Sequence, residues 1–100
     1  DGTPPLRNRA EYGNWVSICA EEFLRLRQDS ESGRSTFLNA YGAVNEAEFF
    51  AVATEQFFDR PDIMIYHAPR LYHVLKEYYG QDPASRLRSG DSPRKVSTDL

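Results

Sequence analysis

A single cysteine, Cys19, excludes an internal disulfide and makes a reducing compartment the expectation. The only two histidines, His67 and His73, stand six residues apart with Pro69 between them. They do not share a helical face, and both are expected at the surface. No apolar run is long enough to cross a membrane and no signal-peptide pattern is present, so the cytoplasm is the expected location. A basic stripe is missing too. Fifteen acidic and 12 basic side chains are spread along the chain for a formal net charge of −3, which is not the footprint of a nucleic-acid binder. Arg86, Arg88, Arg94 and Lys95 gather near the end, but Ser, Gly, Pro and Asp separate them. Convincing period-two alternation and internal repeats are also lacking, which leaves no strand to assign.

What remains is ordinary globular material in a chain of 100 residues, 40% hydrophobic and 27% charged, with room for one domain. The aromatic residues, 13% of the total, concentrate between Tyr12 and Tyr79, where the core is expected. The spacing predicts a helix from about Asn8 to Gln28, with Tyr12, Val16, Cys19, Phe23 and Leu26 on one face that Trp15 and Ile18 widen. Cys19, on that stripe, is expected as a small core residue and not as a nucleophile. Asn8 and Glu11 have the spacing of a capping box. Asp29 to Arg34 reads as a loop, after which Phe37 and Leu38 anchor an irregular stretch to the core. A second helix is predicted from Asn45 to Phe58. Pro61 and Pro69 each open a further helix, the latter burying Leu71, Val74, Leu75 and Tyr78. Gly80 closes that helix, and Asp82-Pro83 stops its continuation.

The helix from Asn45 carries the chemistry. Its sequence is apolar nearly all round, as in a helix buried on several sides. Yet Glu48 and Glu55 lie on one side of it, seven residues apart. A carboxylate in such surroundings must be exposed, protonated, paired with a cation or bound to a metal. Two readings stay open. Asn45 and Glu48 have the same spacing as Asn8 and Glu11, so Glu48 completes a second capping box and Glu55 faces solvent. Alternatively, Glu48 is a metal ligand.

The run Tyr41-Gly-Ala-Val-Asn-Glu-Ala-Glu-Phe-Phe-Ala-Val-Ala-Thr-Glu-Gln-Phe-Phe resembles the C-terminal motif of the Mlc titration factor A family, zinc metallopeptidases of the gluzincin type. Pro69-Arg-Leu-Tyr and Tyr78-Tyr-Gly-Gln-Asp-Pro83 resemble that family's closing segment. Asp1-Gly-Thr-Pro-Pro-Leu6 is similar to the residues that follow its His-Glu-x-x-His helix. The likeness covers roughly residues 1 to 88.

The resemblance implies that Glu48 is the third zinc ligand and that Tyr41, seven residues before it, steadies the oxyanion. Glu55 and Asn45 would support the ligand from behind. It also implies zinc and a peptide substrate in the intact parent. The sequence holds no His-Glu-x-x-His, so two protein ligands and the general base are missing. The expectation is therefore an all-α bundle of three to four helices over residues 1–83, a piece of a larger zincin-type α+β domain, with a flexible polar tail over 84–100. By itself the chain is expected to bind no zinc and to be inactive. The rival expectation is a non-catalytic helical interaction module whose partner is a transcriptional repressor. Either way, apolar surface left uncovered would favour a homodimer. An upstream His-Glu-x-x-His in the coding sequence would separate the two.

Overall fold

Prolines and glycines punctuate the chain as their backbone chemistry demands. The computed structural model describes residues 9–88, which form five α-helices and one 3-10 turn with no strand among them. These are α1 (Arg9–Glu31), the 3-10 turn (Ala40–Ala43), α2 (Glu46–Asp59), α3 (Pro61–His67), α4 (Pro69–Tyr79) and α5 (Pro83–Arg88). Pro61 and Pro69 open α3 and α4, where a missing N–H costs nothing. The residues before them end the preceding helices, Arg60 N donating to Gln56 O at 2.8 Å and Ala68 N to Met64 O at 2.7 Å. Gly80 ends α4 in the left-handed region, at φ 66°.

Three expectations are corrected. Residues 29–31, read as loop, belong to α1, which stops only at the turn where Gly33 takes a φ of 77°. Arg34 locks that end through Asp29, its N–H on the carbonyl and its guanidinium on the carboxylate, each at 2.9 Å. Helix also continues past Pro83. The Tyr72 hydroxyl donates to the Asp82 carboxylate and accepts from Ala84 N at 2.9 Å, so the segment after Gly80 folds back onto α4 as α5. Tyr72 is thus buried, whereas Tyr78, expected there, is half-buried. The Asn8–Glu11 cap and the tail from residue 89 lie outside the described residues.

The third correction concerns α1. Its buried stripe is Ile18, Glu22, Phe23 and Leu26, while Tyr12 and Val16 are exposed. Spacings of three and four cannot separate the two stripes, because the apolar arc of α1 is wider than its neighbours cover. The core joins that stripe to Leu38, Phe49, Ala53, Phe57, Met64, Leu71 and Leu75. No helix among the described residues is long and apolar enough to cross a membrane.

Among the described residues, Glu22 is the one buried charged side chain, 7% exposed. It borders a cavity of about 140 Å³ shared with Arg25, Asp29, Thr36 and His67. Burial pushes its carboxyl above the ordinary range. Arg25, at 3.6 Å, opposes this, as Arg70 does, while Glu21 adds to it. A folded-state value above the unfolded one means that the folded chain holds the proton more tightly, so stability falls as pH rises from about 4.3. Glu22→Gln should therefore flatten the decline in midpoint denaturant concentration as pH rises above the unfolded value of about 4.3. An unchanged pH slope in chemical denaturation would contradict this.

Candidate functional site

The 3-10 turn that carries Tyr41 is fixed from three sides. The Asn39 side chain caps it, accepting from Tyr41 N at 2.8 Å. The Arg27 guanidinium, lying 4.7 Å from the Phe23 ring centroid, donates to Ala43 O from below, at 3.0 Å through Nη2. Gly42 is buried against two helices at once: a Cβ there would stand 3.1 Å from Leu26 Cδ2 and 3.3 Å from Val52 Cβ. Only a residue without a side chain lets the turn settle this deeply between α1 and α2.

One residue after the turn and Val44, Asn45 takes an extended conformation (φ −162°) and caps α2, its Oδ1 accepting from Glu48 N at 2.9 Å. This is one half of the capping box. The reciprocal half, from the Glu48 carboxylate to Asn45 N–H, is not formed, and that carboxylate has no ion pair among the described residues. Glu48 is half-buried, Glu55 exposed, and Tyr41 58% exposed. The expectation that α2 is buried on several sides is corrected. Phe49, Ala53 and Phe57 form its single buried face, and Ala47, Ala51 and Phe58 are exposed beside the two glutamates. With 100° per residue, Glu48 lies roughly half a turn from Glu46 and Phe50. Glu48 and Tyr41 are therefore held by two elements that pack on each other.

The other sequence candidates stand apart. His67 stacks on Phe37 with ring centroids 5.1 Å apart, and His73 lies 4.0 Å from Glu77, both exposed as expected. Among the described residues, no three of His, Cys, Asp and Glu gather as a metal site. Cys19 is half-buried and its thiol is pushed up to about 11, by burial first and by Glu22 second, so it is not an activated nucleophile. Sequence reasoning missed Gly42 and Arg27, the two residues that seat the Tyr41 turn. A glycine directly after a helix-start tyrosine and an arginine late in an apolar helix were visible, but only the fold shows that they meet.

Glu48 and Tyr41 thus stand on neighbouring elements of a helical scaffold, one a half-buried carboxylate and the other an exposed phenol. The family model of glucose-regulated metallo-peptidase M90 matches residues 1–80, and the chain belongs to that family. The uncharacterized protein slr2042 of Synechocystis is 40% identical over 83 residues, 83% of this chain and 30% of that protein. The Mlc titration factor A of Cronobacter sakazakii is 41% identical over 91 residues, 89% of this chain and 34% of that protein. That of Yersinia pestis is 41% identical over 90 residues, with 88% and 33% covered. The chain thus spans about a third of the length of these relatives. No solved structure matches it.

Two outcomes follow from the geometry. Gly42→Ala should cost about 1–3 kcal/mol, the range for overpacking, because Leu26 and Val52 must give way. Hydrogen exchange should then rise at residues 40–44 first, and an unchanged unfolding midpoint would contradict the close approach. The chain alone should bind zinc weakly, since one carboxylate lacks the partners of a tight site. A sub-micromolar site in isothermal titration that disappears in Glu48→Ala would contradict this.

Proposed function

We propose that this chain forms the third-ligand part of a zinc-dependent metallopeptidase, with Glu48 as the metal ligand and Tyr41 as the oxyanion donor. The observation that carries the reading is the Glu48 carboxylate. Its backbone N–H is engaged by Asn45, yet its side chain makes no reciprocal cap bond and stands on the open side of α2. A capping-box glutamate would use its carboxylate on Asn45 N–H.

One carboxylate fits one place in a zinc site, and the remaining ligands and the general base belong to a His-Glu-x-x-His segment that this sequence does not contain. Bound zinc supplies the Lewis acidity that makes water a nucleophile toward a peptide carbonyl. The chain's own residues do the rest of their share by position. Glu48, in the first turn of α2, offers a carboxylate oxygen that no cap bond occupies. Asn45 holds that turn, and Glu55, exposed about two turns further on, extends the negative side of the helix. The Tyr41 hydroxyl is exposed toward solvent and donates a hydrogen bond to negative charge developing on the carbonyl oxygen, without bearing charge itself. The substrate is a peptide, and hydrolysis requires the assembled site.

A second reading is a non-catalytic interaction module. The relatives' name, Mlc titration factor A, favours it, because titration of Mlc, a transcriptional repressor, is a binding activity. The repressor would then be the partner and the carboxylate incidental.

Joined to a His-Glu-x-x-His segment, Glu48→Gln should empty the metal site and lower turnover by orders of magnitude, since a neutral amide is a poor zinc ligand. Tyr41→Phe should keep zinc and lose on the order of 10²-fold in kcat, the worth of one oxyanion donor. Metal content and peptide hydrolysis on both variants separate the readings. Full zinc occupancy with normal turnover in Glu48→Gln would end the ligand assignment.

A further inference from the structure

We infer that the apolar groove between α1 and α2 seats an apolar helix face from the part of the family fold that lies outside the matched region. The groove has a volume of about 400 Å³ and is walled by Trp15, Val16, Phe23, Leu24, Phe49 and Phe50. Among the described residues, its one charged lining residue is Glu46. Along its outer lip run Tyr12, Val16, Ala20 and Leu24, a ridge with a spacing of four, the first, second and fourth of them 47%, 42% and 54% exposed. A surface helix needs one apolar stripe, and α1 already spends one on the core. The second stripe is a cost in water unless something covers it.

Three observations choose the occupant. Trp15 to Leu24 spans roughly 14 Å of helix, and a ridge of spacing four is what packs into the grooves of another helix. The walls are almost wholly apolar side chains, so the occupant brings apolar bulk. The relatives carry about two thirds of their length beyond the matched region, so the family supplies chain to fill the space. The groove lies on the side of α2 turned away from Glu48. It is therefore a packing seat separate from the metal side, although it rests on the reading that this chain is one part of a larger peptidase unit.

The test compares one pair of substitutions in two settings. Val16→Glu and Leu24→Glu are introduced into this chain alone, and into a chimera in which the chain replaces the matched region of the Cronobacter sakazakii Mlc titration factor A. Both residues are exposed in the chain alone, so its Tm should move by no more than about 2 °C. In the chimera the same charges are buried and the Tm should fall by roughly 5–10 °C or more. Small, equal shifts in both settings would show the groove uncovered and overturn the inference. So would a chimera that does not unfold as one cooperative unit. A chain that sediments as a dimer, which either substitution splits, would assign the groove to a second copy instead. The readout is stability, so it stands or falls separately from zinc content in Glu48→Gln.

Discussion

Gly42 is the position where three elements come within van der Waals reach of one another, and everything proposed for the site depends on that closeness. A Cβ there would stand 3.1 Å from Leu26 of α1 and 3.3 Å from Val52 of α2, so either neighbour must give by a few tenths of an ångström. The 3-10 turn is consequently pressed against both helices, and Arg27 and Asn39 secure it by taking up polar groups of its backbone. Tyr41 precedes this contact by one residue and Asn45, the α2 cap, follows it by three. The backbone segments that carry Tyr41 and Glu48 thus meet at one packed junction and not in a free loop. A site that must hold a metal ligand and a charge-stabilising donor within a fraction of an ångström needs such a junction.

The rest of the bundle supports that junction from behind. Phe23 meets Phe49 edge-on at 5.8 Å, Phe57 packs on Tyr72 at 5.0 Å, and Thr54 and Tyr79 share a hydrogen bond of 2.9 Å. These contacts bury one face of α2 and leave the opposite one open. A helix with Ala47 and Ala51 exposed beside Glu48 allows another element to come close, as an incoming ligand-bearing helix would have to.

Much of the architecture was legible in the sequence because proline, glycine and asparagine act locally. Pro61, Pro69, Gly80 and Asn45 set helix ends through their own backbone chemistry, and each end stands where it was expected. Properties that depend on distant partners were not legible. Tyr12 and Val16 have the periodicity of core residues and lie at the surface, since periodicity reports which residues share a face but not what covers it. Tyr72 was missed because its burial depends on Asp82 and Ala84, ten and twelve residues away. For the proposed site, resemblance is what names Glu48 and Tyr41; Gly42 and Arg27 emerge only from geometry, which shows what holds the turn.

The most direct measurement is the zinc-loaded crystal structure of this chain joined to a His-Glu-x-x-His segment. A Glu48 carboxylate oxygen is expected at about 2.0–2.2 Å from the metal, with the Tyr41 hydroxyl facing the same open position. A zinc ion held without Glu48, its carboxylate bonded instead to Asn45 N–H, would contradict the account.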